Sequence, residues 1–332
     1  MKFQRDIASS QATLPIVCTI ALALWFALPS PHNPQDYLTS DYGLWQYLPP
    51  FFHATQYTLP LGVSCAAIAV YMMVELKNQN LLLRVNSYML SSTLALLLAV
   101  AAPLHPLQPS SLLTLLTLYA YFPLFASYQM PHPHLAFSIY LPLSLASLLF
   151  PQFLFLIPTY WCLQIYLRSL TLRTLLASLI ATLLPYWFYG GIAIATDTLP
   201  QFLTHLRAAI APPDFTFLHT PIADTLHTSL PFLLLTLILL AIGIVDFQSN
   251  KLLDKTRTRT LYNVVQWHSL AILLFILIHQ QHTATLLPLL MIDASILYGH
   301  FFTLTHTRLS HIINIIASLL LLFIVLMQVF YT

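Results

Sequence analysis

The sequence predicts an all-α protein, a polytopic transmembrane helix bundle of about eleven spans with the N-terminus inside and the C-terminus outside. Three observations carry that expectation. Only 22 of the 332 residues are charged, 12 basic and 10 acidic, whereas a soluble domain carries about a quarter. Apolar residues make up 58% of the chain and its mean hydropathy is +0.78. Finally, 11 of the 12 basic residues fall on one side of a bilayer if the apolar runs are read as spans.

The runs lie at roughly 14–29, 57–76, 86–103, 110–128, 135–150, 152–167, 174–190, 230–248, 261–278, 285–304 and 312–330. Lys2, Arg5, Lys77, Arg84, Arg168, Arg173, Lys251, Lys255, Arg257, Arg259 and Arg308 then share the cytoplasmic side, and Arg207 alone falls outside. Residues 85–167 contain no charge, so parity sets the count there: an even number of spans must join Arg84 to Arg168, and the length suits four, with two as the alternative. Lys2, Arg5 and the apolar stretch from Leu14 could pass for a signal peptide. Pro29 to Pro34 offer no small-residue cleavage site, which points to a retained first helix. Pro123, Pro142, Pro158 and Pro288 lie within spans and imply kinks. No internal repeat is evident, so an inverted-repeat transporter is not positively indicated. Cys18, Cys65 and Cys162 sit in apolar runs and read as packing residues. The net charge of +2 leaves no basic surface for nucleic acid.

The chain reads as one integral-membrane domain over 1–332 with two long connections, 30–56 and 190–230, both on the outer side. The first carries Asp36 and Asp41. An outer carboxylate beside a membrane face could act as a general base or bind a divalent cation that holds a lipid phosphate; alternatively both are solvated charges, with Asp41 starting a short helix through Trp45. Asp197, Asp214 and Asp224 on the second face the same choice, Asp197 as an N-cap. There Leu199, Phe202, Leu203, Leu206 and Ile210 recur at helical spacing, with Gln201, His205 and Arg207 off the stripe, which predicts an amphipathic helix over 198–210 lying in the interface.

Asp293 differs from these because it falls inside the tenth run. A carboxylate at that depth is a functional candidate by default, with Ser295, His268 or an outer-loop group as partner, although a single protonated carboxyl in a bundle can also be structural. The fourteen histidines offer metal or haem readings: His219 and His227 with Asp224, His279 with His282, or His268 and His300 within spans. With no HExxH and no Cys-His cluster, no metal site and no resident cofactor is expected beyond the divalent cation already considered. Lys251 to Arg259 is the densest basic stretch and reads first as an orientation signal, then as a site for anionic headgroups.

Three segments carry a resemblance: Leu83-Arg84-Val85-Asn86-Ser87-Tyr88-Met89, Leu167-Arg168-Ser169 through Arg173 to Leu184-Pro185-Tyr186-Trp187, and Ala294-Ser295-Ile296-Leu297-Tyr298-Gly299-His300-Phe301-Phe302. They resemble an uncharacterised family of polytopic inner-membrane proteins of the Bacteroidota, which implies location in the bacterial inner membrane and carries no activity. The span count, the acidic first outer loop and the later outer loop also look like the C-type glycosyltransferases. That likeness implies a polyprenyl-phosphate sugar as lipid partner, Asp36 or Asp41 as the catalytic carboxylate, and Arg207 or His205 against the lipid phosphate. Three functions compete: a lipid-linked-sugar transferase in envelope glycan assembly, a non-enzymatic subunit of an envelope complex, and a transporter or flippase. Few polar residues within spans count against the last. A cysteine placed at position 41 is expected to react with an impermeant maleimide added outside intact cells. Labelling of that cysteine from the cytoplasmic face overturns the topology.

Overall fold

The computed structural model of the chain describes residues 6–7, 9–28, 44–45, 54–210 and 224–331. Among the described residues there is no strand, and there are twelve α-helices: α1 (Thr13–Ala27), α2 (Thr55–Asn80), α3 (Met89–Val100), α4 (Pro109–Ala126), α5 (Pro133–Leu149), α6 (Ile157–Tyr166), α7 (Leu172–Ala195), α8 (Leu199–Ile210), α9 (Asp224–Asn250), α10 (Thr256–Ile278), α11 (Thr283–Leu304) and α12 (Arg308–Tyr331). Each apolar run coincides with a helix, and α8 is the amphipathic segment. Seven helices, α2, α4, α7, α9, α10, α11 and α12, are long and apolar enough to cross a membrane; α1, α3 and α5 are apolar but shorter.

Hydrophobicity on every side of a helix predicts burial in protein or in lipid, and the bundle uses both solutions. The spanning stretch of α11 is 94% buried, whereas that of α12 is 17% buried. α11 is therefore the central rod. It packs against α9, α10, α3 and α4, while α12 sits at the periphery. Two glycines set how closely the rod is held. A Cβ at Gly243 of α9 would lie 2.6 Å from the Leu297 carbonyl carbon, and one at Gly299 of α11 would lie 2.9 Å from the Leu90 Cα of α3. Small residues at these crossings let backbones touch, which is how helices gain packing energy in an apolar surrounding.

The short helices follow from connectors sunk into the bundle. α3 spans about 18 Å at 1.5 Å per residue, too little for a hydrocarbon core, yet residues 101–108 beyond it are all buried. Irregular backbone at such depth needs internal partners. Gln328 of α12 supplies two: its Nε2 donates to the Val100 carbonyl (2.9 Å) and its Oε1 accepts from the Ala102 N–H (3.3 Å). Gln108 donates to the Pro103 carbonyl (2.8 Å), His105 Nε2–H donates to the Ala99 carbonyl (2.8 Å), and Leu107 N–H donates to the Thr58 carbonyl (2.8 Å). Gly62 admits the His105 carbonyl where a Cβ would stand 2.1 Å away. Trp25 of α1 stacks on the His105 ring at 4.4 Å, and Trp45 is buried against Leu107 and Leu149. A second connector, the 3₁₀ segment Pro151–Leu156, leads into α6 at the same end.

The opposite end is basic. Arg84 donates from Nε and Nη2 to Asp254 Oδ1, both at 2.7 Å, and His300 Nε2–H donates to Asp254 Oδ2 at 3.1 Å. Burial opposes the charge on Asp254, but the bonds from His300 and Arg84 outweigh it and hold the carboxyl below its ordinary value. Lys77 donates to Asn86 Oδ1 (3.3 Å) and the Ser87 carbonyl (3.1 Å), Arg257 donates to Asn80 Oδ1 (3.2 Å), and Tyr262 donates to the Leu82 carbonyl (3.3 Å). These bonds pin the loop after α2, whose helix ends at Leu81 in the left-handed conformation (φ 50°).

Gly243→Ala is expected to lower stability by about 1–3 kcal/mol, because the added methyl meets backbone that cannot yield. Gly191, with nothing within 4 Å of its Cβ position, provides the control. Gly191→Ala should leave the thermal midpoint in detergent unchanged or raised, and equal midpoints for the two variants would refute the crossing argument.

Candidate functional site

Four helices converge on one polar cluster at mid-depth. Asp293 is central in α11, ten residues from its start, which places it roughly 15 Å from either end of the rod. His268 lies midway along α10, Tyr121 in the second half of α4, and Tyr160 in α6. All four side chains are fully buried, at 0% exposure. Tyr121 belongs to a stripe on α4, Ser110, Thr114, Thr117 and Tyr121, whose spacing keeps it on one helix face, and all four of its members are buried.

The geometry defines the chemistry. Tyr121 donates its hydroxyl to Asp293 Oδ1. His268 Nδ1–H donates to Asp293 Oδ2 at 2.7 Å and also lies 2.8 Å from the Tyr121 oxygen. On the other side of the ring, Nε2 lies 3.1 Å from the Tyr160 oxygen. Both tyrosine rings meet the imidazole edge-on, with centroids at 5.2 Å and 5.4 Å, so the ring is held in its plane and cannot flip without unpacking them. With a neutral imidazole, Tyr160 donates to Nε2; with an imidazolium, Nε2–H donates to Tyr160. Both arrangements use the same Nε2–oxygen contact, so they share one heavy-atom geometry.

The sequence joined Asp293 and His268 as candidates, and the structure brings them into contact. Ser295 instead donates to the Ile292 carbonyl (2.7 Å). Tyr121 and Tyr160 were missed, although the helical spacing of Ser110, Thr114 and Thr117 leads to the first of them. The basic-end ion pair was also missed: Asp254 lies within the Lys251–Arg259 stretch, and its partner Arg84 is 170 positions away.

The other candidates lie elsewhere. Asp36, Asp41, Asp214 and His219 lie outside the described residues, as do the side chains of Asp224 and His227. Arg207 is exposed on α8, which packs at the end opposite the basic loops, against α7 and Pro151–Leu156. His205, two residues earlier, turns inward and is 6% exposed, between the rings of Tyr186 (6.0 Å) and Tyr189 (5.7 Å). Burial pushes its imidazole down to about 4, the Ser147 backbone opposing in part, so it is neutral at pH 7. The α8 cap position falls on Thr198, whose carbonyl accepts from Gln201 and Phe202, while Asp197 precedes it with φ 55°. His279 rests on Phe275 and His282 on Phe150. Among the described residues no three His, Cys, Asp or Glu side chains gather as metal ligands.

No protein family, curated protein or solved structure matches this chain.

Removing one member of a buried, hydrogen-bonded pair strands the other, so Asp293→Leu and His268→Leu are each expected to destabilise by about 3–5 kcal/mol. The double variant should cost less than the sum by roughly 0.5–3 kcal/mol. Additive losses in a double-mutant cycle would show that the two groups are not coupled.

Proposed function

We propose that this is a multi-pass protein of the bacterial inner membrane that couples proton transfer at Asp293 and His268 to transport across the bilayer. One observation carries the reading. The sealed cluster accommodates two protonation arrangements with one set of contacts, and buried polar atoms without partners follow it on both sides. Thr117 Oγ1 lies one turn from Tyr121 toward the α8 end, and His300 Nδ1 lies on α11 toward the basic end. From Asp293 to His300 is seven residues, about 10 Å along the helix and on the same face. A proton leaving the cluster therefore has Thr117, Thr114 and Ser110 on one side, and His300 with Asp254 and Arg84 on the other. The few polar residues in the spans count against a transporter when taken singly. Gathered along one line through the bundle, they are the pattern that transporters use.

The orientation belongs to the same proposal: N-terminus cytoplasmic, C-terminus outside, about eleven spans. It draws support from the nine described basic residues that share one end (Lys77, Arg84, Arg168, Arg173, Lys251, Lys255, Arg257, Arg259 and Arg308) and from Arg207 at the other. The short α3 and α6 count as spans because their connectors are sunk and sealed by protein.

A second reading, lipid-linked-sugar transfer, rests on Arg207. It is an exposed cation on a helix that also exposes Leu199 and Leu203, at the end opposite the basic loops, to which the charge pattern assigns the first outer loop. A carboxylate as base and Arg207 against the leaving phosphate would then do the chemistry.

A pH jump applied to proteoliposomes on a solid-supported membrane separates the two. Wild type is expected to give a transient charge displacement that Asp293→Asn abolishes and Arg207→Gln retains. No displacement in wild type, or an equal one in Asp293→Asn, overturns the proton-coupled reading. Loss of complementation in Asp36→Asn, Asp41→Asn and Arg207→Gln, with displacement intact, favours the transferase.

A further inference from the structure

Away from the central cluster, α2, α4 and α5 leave an open cavity of about 460 Å³ on the flank of the bundle. Its walls are Tyr71, Met72 and Glu75 from α2, Tyr119 and Phe122 from α4, and Ser138 from α5. Glu75 is the chain's one glutamate and stands five residues before the end of α2, close to the basic end. A carboxylate on an apolar flank is costly unless it meets a cation. Glu75 accepts one hydrogen bond, from Gln79 Nε2 to Oε1 at 2.8 Å, and among the described residues no Lys, Arg or His pairs with it.

We propose that this groove binds the headgroup of a phospholipid that ends in a primary ammonium, in the leaflet at the basic end. Charge complementarity selects the headgroup: the free Glu75 oxygen takes the ammonium, and the groove-lining Tyr71 and Tyr119, 67% and 51% exposed, supply aromatic rings for cation–π contact. Pro123 has no N–H to donate to the Tyr119 carbonyl, which leaves a further acceptor beside the groove. The remaining lining, Met72 and Phe122, is apolar, and the groove opens on the side of the bundle rather than at its end. An occupant therefore needs an apolar body lying along the helices and a cationic tip, which describes a lipid and excludes a free polar amine.

Native mass spectrometry of the detergent-purified full chain, titrated with phosphatidylethanolamine or phosphatidylglycerol of identical acyl chains, tests this. The ethanolamine lipid should bind about tenfold more tightly at a saturable first site. Glu75→Gln should bring the two lipids to within a factor of about two, and Tyr119→Leu should reduce the preference several-fold. N-acetylating the lipid amine probes the same contact on the unaltered protein and should abolish the preference even if Glu75→Gln fails to fold. Equal binding of both lipids by wild type, or a preference that survives both Glu75→Gln and lipid acetylation, overturns the assignment.

Discussion

In an apolar surrounding no water repairs a missing hydrogen bond, so backbone that leaves the helical ladder inside this bundle depends on partners from the protein itself. That constraint shapes the molecule from the connectors inward. Gln328, at the far end of the chain from α3, closes the backbone at Val100 and Ala102, and Gln108 and His105 take the carbonyls of Pro103 and Ala99. Without those three side chains the backbone at 99–103 would carry unsatisfied groups costing several kcal/mol each, on the order expected for unpaired groups in an apolar surrounding. A sunk connector is thus possible only because distant segments supply its donors and acceptors.

The same constraint makes the Asp293 and His268 pair informative. Desolvating two charges is expensive, and a buried ion pair is often no more stabilising than apolar residues of the same volume. A helix as apolar as α11 would pack well with leucine in place of Asp293. Here the cost is offset by the Tyr121 hydroxyl and by the direct His–Asp bond, so that each carboxylate oxygen accepts a hydrogen bond, while Tyr160 meets the far nitrogen of the imidazole. Such a cluster contributes little to stability beyond what a greasy core would provide. What it adds is a fixed polar geometry at the centre of an apolar bundle, which is the basis of the proton-transfer proposal.

α11 links this site to the basic end. Asp293 and His300 lie on one face of a rod held by backbone-close crossings at Gly243 and Gly299, and His300 reaches Asp254, which Arg84 clamps. A change in charge at either carboxylate is therefore felt by the same rigid element. The rod is tied to its surroundings at that end as well, through Thr303 to Ser87 in the loop before α3 and through Thr305, just past the rod, to Asp246 of α9. By contrast α7 and α12, the most exposed of the seven long apolar helices, carry no member of the cluster and face outward with apolar side chains.

Hydropathy and the spacing of apolar residues by themselves determined the helical class, the position of each helix and the segregation of basic residues, because transfer free energy and the 3.6-residue repeat act locally and are written in consecutive residues. They also marked Asp293, since a carboxylate among Leu, Met and Ile is conspicuous in any window. The tertiary structure decided which groups gather around Asp293, choosing His268 among the partners the sequence offered and adding both tyrosines. Tyr121, Tyr160 and His268 are separated from it by 172, 133 and 25 positions, and no local pattern specifies which faces of four helices meet. It likewise decided that α3 can be short, that His205 turns inward beneath two tyrosines, and that Asp254 serves Arg84 and His300 rather than its neighbours. Each of these depends on pairing between groups remote in the chain, and such pairing is selected by packing and desolvation in three dimensions.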